Sequence, residues 1–279
     1  MDERLDTTVC YRHPDRATRL HCSDCSKPIC AECSRDAAVG QKCPECSRPE
    51  GRHRVIDARR SGATPGFATA PVTFTVIALA VTTFAVGLLS PPLDAQLIDD
   101  FASANWLIEG GEWWRVLTAT FLHAGIAHIF FNMYALYMFG PRLETQVGST
   151  PFALLYAASA VGGGAASYLF GPIQQVAVGA SGAIFGLFGA WMYVAYRTRH
   201  TPAGRAMFNQ LGVLLLINMA LPVLIRNIDW RAHVGGLVAG VAVAALWGRF
   251  AAGRPQAVRI RSVIACAVLA VLVSLVVVL

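Results

Sequence analysis

Seven apolar runs, at about residues 71–89, 119–139, 152–170, 178–196, 208–225, 233–249 and 260–279, constrain this chain more than any other feature. Each approaches the roughly 20 residues that a helix needs to cross a bilayer. Charged residues make up only 14% of the 279, against roughly 25% in ordinary globular chains. The expectation is an all-α polytopic membrane protein of seven spans. The formal charge of +6 does not point to nucleic acid, because the arginines are scattered through short loops and flanks instead of gathered on one face.

Orientation follows from those arginines. The N-terminal residues Met1–Asp6 are polar and acidic and no apolar run appears before about residue 71, so the N-terminus is expected in the cytosol of a cell with the chain in its plasma (inner) membrane. The inner loops then hold Arg142, Arg197, Arg199, Arg205, Arg249, Arg254, Arg259 and Arg261, eight against the three of Arg115, Arg226 and Arg231 outside, as the positive-inside bias requires. The first external connection, about 90–118, carries Trp106, Trp113 and Trp114 among acidic residues, which predicts a segment lying in the outer interface.

Cysteine use divides the chain. Seven of eight cysteines precede residue 47, arranged as Cys10-x2-His13, Cys22-x2-Cys25, Cys30-x2-Cys33 and Cys43-x2-Cys46. Four two-residue knuckles supply eight ligands, enough for two structural Zn2+. An odd number of cysteines in a reducing location does not make a disulfide framework. With few large apolar side chains here, metal binding has to supply most of the folding free energy. All four positions at each ion are protein ligands, so these ions are not catalytic. His21 and His53 are left as surface histidines. The knuckles resemble B-box-type zinc fingers, a resemblance that implies cross-bracing: Cys10, His13, Cys30 and Cys33 on one ion, Cys22, Cys25, Cys43 and Cys46 on the other. Sequential pairing stays open. The domains expected are 1–48 for zinc, a basic linker over 49–70 whose arginines rest against anionic membrane lipid, and 71–279 for the membrane part.

Within the spans the polar residues cluster. Gly179-Ala180-Ser181-Gly182 opens the fourth and places a hydroxyl among small residues, a pattern that by itself fits close helix packing. His233 stands at the same shallow depth in the first turn of the sixth span. Gly236 and Gly240 follow it on one helical face, opposite Gly182, Gly186 and Gly189. Such faces let two backbones approach closely enough for a Ser–His hydrogen bond. The second span adds His123, His128 and Asn132; the last two share a face and can donate to an oxygen, which suits an oxyanion site.

His128-x3-Asn132, Gly179-Ala180-Ser181-Gly182 and Ala232-His233-x-Gly235-Gly236, in this order on these spans, resemble the rhomboid intramembrane serine proteases. Trp114-Arg115 and Gly140-Pro141-Arg142-Leu143-Glu144, placed after the second span, resemble rhomboid features too. The resemblance covers about residues 71–279. It implies a six-helix core plus one C-terminal helix that cleaves transmembrane protein substrates in or near the bilayer, at a site that the arginine-based orientation puts near the outer face. Ser181 would be the nucleophile, His233 the base and acid, and His128, Asn132 and the Ser181 N–H the oxyanion donors, with no cofactor for catalysis. Phe185 stands where many members have a tyrosine that stacks on the histidine. The zinc segment lies outside the family core and is expected to dock a cytosolic protein.

A Ser–His pair without a carboxylate predicts slow turnover; Asp229 lies on the extramembrane side of His233 and is not assigned the third place. Substrates with Gly, Pro or small residues near the interface should unwind most readily, since an intact helix hides its carbonyls. Pro222 makes the fifth span a candidate gate. The competing readings are an inactive rhomboid-like protein that binds membrane helices, disfavoured by the presence of Ser181 and His233, and a solute transporter, disfavoured by the lack of an inverted repeat.

Overall fold

The computed structural model describes residues 8–37, 40–47, 66–225 and 228–278, so most of the basic linker, His53 and Arg226 lie outside the described residues. The chain divides into two compact units, Met1–Thr64 and Pro65–Leu279.

In the first unit β1 (Val9–Cys10) pairs antiparallel with β2 (His13–Ala17), and β3 (Arg35–Asp36) with β4 (Gln41–Lys42). The strands are two to five residues long, too short to stand alone. Among the described residues no hydrocarbon core holds them, because the buried cluster is Ile29 with Cys10, Cys22, Cys30, Cys33 and Cys43. The interior of this described part is mostly sulfur.

The second unit is helical: α1 (Pro71–Leu89), α2 (Pro91–Phe101), α3 (Asn105–Glu109), α4 (Arg115–Thr118), α5 (Ile126–Val147), α6 (Ser149–Phe170), α7 (Ser181–Thr198), α8 (Pro202–Leu224), α9 (Trp230–Phe250) and α10 (Ala257–Val278). Five of these, α1, α6, α8, α9 and α10, are long and apolar enough to cross a membrane, and a sixth crossing results if the segments Arg115–Phe121 and Ile126–Val147, bent by 99° at their junction, count as one. The seventh long helix, α7, is not among them, for a physical reason. Residues 182–191 of α7 are continuously buried by neighbouring helices, so this helix can carry small and polar residues that a lipid-facing helix could not. The chain is thus a multi-pass membrane protein built around α7, which packs on α5, α6, α8 and α9.

Two boundaries differ from the hydropathy reading. The second run was expected over 119–139, but the helix begins at Ile126 and continues to Val147, with Pro141 inside it. Gly140–Glu144 is therefore helix, not a loop after a span, and Glu144 is 1% exposed. The difference is a matter of partners. Glu144 Oε1 accepts from the Val72 N–H at 3.0 Å and the Ser149 hydroxyl at 2.7 Å, while Oε2 accepts from the Thr73 N–H at 2.8 Å and the Thr73 hydroxyl at 2.7 Å. One carboxylate caps the start of α1 and joins it to α5 and α6. Glu144→Leu leaves those donors buried and unpaired, and a loss of about 3 kcal/mol follows. Thermal unfolding in detergent should show a lowered midpoint; an unchanged midpoint would mean that the cap is not needed.

The connection expected at the interface is ordered into α2, α3 and α4. Trp106, Trp113 and Trp114 are exposed on it, while Arg115 is buried and donates to the carbonyls of Asp99 (2.8 Å) and Ala102 (3.1 Å) and to Glu112 (2.6 Å).

Candidate functional site

Ser181 is the first residue of α7 and His233 the fourth of α9. Their meeting depends on how closely these helices cross. A Cβ on Gly236 would run into the carbonyl oxygen of Gly182, and one on Gly240 into that of Gly186. The two backbones touch, and the residues at the head of the contact face each other. His233 Nε2 lies 2.9 Å from Ser181 Oγ. With the hydroxyl donating and Nε2 accepting, the imidazole carries its proton on Nδ1. That nitrogen is buried without a hydrogen-bond partner among the described residues. The ring is held instead by Phe185, stacked on it with centroids 4.1 Å apart and planes 7° from parallel. The phenyl group at this position does the stacking for which no hydroxyl is needed.

The segment leading to Ser181 is tied down at three points. β5 (Ser103–Ala104) pairs antiparallel with β6 (Val176–Ala177), joining this segment to the first connection. Gly179 donates to the Ala119 carbonyl at 2.9 Å. Gly179 also has φ +124, and a Cβ there would lie 2.7 Å from Nε2 of His128. Only glycine fits both the backbone and the imidazole. His128 is thereby brought against the residue two before Ser181. Asn132 is buried on α5 and donates one amide N–H to the His128 carbonyl at 2.9 Å, so it stands one helical turn from His128. His123 lies edge-on to His128, centroids 5.1 Å apart, with both ring nitrogens buried and without a partner among the described residues. It lines a cavity of about 140 Å³ together with Thr83, Asp94 and Val178, enough for several waters.

At the start of α9 a second, polar cavity of about 450 Å³ is lined by residues that include Gln175, Pro222, Asp229, Trp230 and Arg231. Among the described residues no hydrogen bond joins the Asp229 carboxylate to the imidazole. The carboxylate caps α9, accepting from the N–H groups of Arg231 (3.1 Å) and Ala232 (3.3 Å), and accepts the hydroxyl of Ser167. Sequence reasoning passed over Ser167 and met Glu144 only as the last residue of Gly140–Glu144, since neither carries a local signal of the partners it finds. Asp before Trp-Arg-Ala was legible as a cap for the helix of His233.

The first unit holds a separate constellation. Ligand atoms of Cys10, His13, Cys30 and Cys33 lie within 4.8 Å of one another, as do those of Cys22, Cys25, Cys43 and Cys46. The cross-braced sets are the ones brought together. His13 Nδ1 is 3.9 Å from Cys10 Sγ and 3.4 Å from Cys30 and Cys33 Sγ, and Cys25 Sγ is 3.8 Å from Cys43 Sγ. A tetrahedron with bonds of about 2.0–2.3 Å has edges of about 3.3–3.8 Å, so both sets fit one metal ion each. The Cys43 N–H donates to Cys22 Sγ at 3.3 Å and, with other backbone N–H groups, holds that thiol near pKa 6. Thiolate ligands suit a divalent metal of this geometry.

Comparison with known proteins agrees with the geometry. The family model for the rhomboid domain matches residues 110–250. The chain is 43% identical over 152 residues to the rhomboid protease GluP of Bacillus subtilis, an alignment covering 54% of this chain and 29% of GluP. It is 37% identical over 142 residues to the putative rhomboid protease YdcA of the same organism, covering 51% of this chain and 71% of YdcA. It is also 37% identical over 150 residues to the mitochondrial RHOMBOID-like protein 6 of Arabidopsis thaliana, covering 52% of this chain and 48% of that one. The matched stretch contains α4 to α9, and with them Ser181, His233, His128 and Asn132. This chain belongs to the rhomboid family.

Proposed function

We propose that this protein is an intramembrane serine endopeptidase cleaving transmembrane-segment substrates near the outer membrane face. The observation that carries the reading is the 2.9 Å approach of Ser181 Oγ to His233 Nε2 on helices whose glycines permit it. In the reaction His233 Nε2 takes the hydroxyl proton as Ser181 Oγ attacks the scissile carbonyl carbon. His128, Asn132 and the Ser181 N–H stabilise the oxyanion. The proton passes from His233 to the leaving amine, and the acyl-enzyme is then hydrolysed by water activated in the same way. The cavity beside His123 supports a water supply at the site. The helix α8 buries only Gly204 and Leu211, both in its first half, which supports a loosely held end near Pro222 where a substrate helix could enter.

The same reading places residues 1–48 in the cytosol as a B-box-like domain with two structural zinc ions. It gives this domain a docking role toward a cytosolic protein, and puts the membrane domain of residues 71–279 in the plasma (inner) membrane. Incubating the purified protein in detergent with a single-span substrate should yield two fragments, and none with Ser181→Ala. Capture of the substrate without cleavage by the wild-type protein would make it a rhomboid-like binding protein instead.

A further inference from the structure

Nothing at the His233 ring does what the carboxylate of a triad does, because Nδ1 has no partner among the described residues. One helical turn earlier stands a carboxylate that is fully engaged. Asp229 accepts from two backbone N–H groups of the first turn of α9 and from Ser167, a residue 2% exposed near the end of α6. The His233 N–H donates to the Asp229 carbonyl at 3.3 Å, so His233 closes the turn that Asp229 opens. The helix α6 is also the surface on which this turn rests, since the carbonyl of Ala232 packs on Gly163. Asp229 therefore sets the height and rotation at which α9 starts against α6. The direction of the His233 side chain follows from both.

We infer that Asp229, clamped by Ser167, is a positioning residue for the His233 base. It fixes the approach of the imidazole to Ser181 and puts a negative charge one turn away from the imidazolium that forms when Ser181 gives up its proton. No proton reaches Asp229; it acts through the helix and through its field. The inference rests on the serine-protease reading. It differs from ordinary capping in a way that can be measured, because an asparagine accepts the same N–H bonds without the charge.

The test uses the full-length protein in detergent with a single-span substrate, measuring kcat and KM separately and thermal unfolding alongside. Asp229→Asn is expected to lower kcat about 10-fold, the effect of one charge near a partly buried helix end, with KM and the unfolding midpoint near wild type. Ser167→Ala should lower kcat about threefold, because the clamp is lost while the charge stays, and it serves if Asp229→Asn does not fold. Wild-type kcat in both variants would overturn the inference, leaving Asp229 a helix cap; a raised KM with unchanged kcat would overturn it too, assigning Asp229 to substrate binding in the polar cavity. Ser181→Ala is run beside them. Cleavage surviving in that control refutes the protease reading and not the placement of Asp229.

Discussion

His233→Ala is expected to lower cleavage of a transmembrane substrate by about 10⁴-fold while leaving thermal unfolding close to wild type. Without the imidazole the Ser181 hydroxyl keeps its proton and is a poor nucleophile at neutral pH. The alanine leaves a small void beside Phe185 and removes a buried polar group whose Nδ1 has no partner, so the stability terms are small and opposed. Gly236→Val makes the useful contrast. Its side chain would be driven into the Gly182 carbonyl, so α9 must withdraw and carry His233 away from Ser181; activity and unfolding midpoint should fall together. If His233→Ala keeps cleavage within 10-fold of wild type, the base is another group.

Metal removal should have the second large effect. Among the described residues of the first unit the one large aliphatic side chain in the buried cluster is Ile29, and the strands are too short to persist on hydrogen bonds alone. Structural zinc in small domains supplies roughly 10–16 kcal/mol of binding free energy, which in such cases is the folding free energy. A strong chelator should therefore unfold residues 8–47, seen as loss of dispersed amide resonances, while the helical signal of the second unit persists. Elemental analysis should give two metal ions per chain in wild type and one in a Cys30→Ser, Cys33→Ser double variant. Persistence of the resonances without metal would show that the sulfur-rich core stands unaided.

What could be read from the amino acids alone, and what could not, divides along the distance between partners. The approach of Ser181 to His233 was legible because each heads a run of small residues at helical spacing, and His128 and Asn132 drew notice because they stand four apart on one helix face. The knuckles were legible from their two-residue ligand spacing, although only the folded unit shows that His13 joins Cys30 and Cys33. Glu144 was not legible as a structural centre. A glutamate at the end of an apolar run looks like a loop residue, and three of the four donors that make its burial affordable lie 71 and 72 residues earlier. The Ser167 and Asp229 pair, 62 residues apart, was hidden in the same way. Hydropathy also misplaced α5, since a window of composition registers neither the 99° bend before Ile126 nor the continuation through Pro141.

The central claim is that the Ser181 hydroxyl is a nucleophile made so by His233. The most direct measurement is labelling of the detergent-solubilised protein with a fluorophosphonate probe, followed by mass-spectrometric mapping of the adduct in wild type and His233→Ala. The account predicts one adduct, on Ser181, formed by the wild type and reduced to background in the variant. An adduct on another residue, or labelling of Ser181 that proceeds equally without His233, would contradict it.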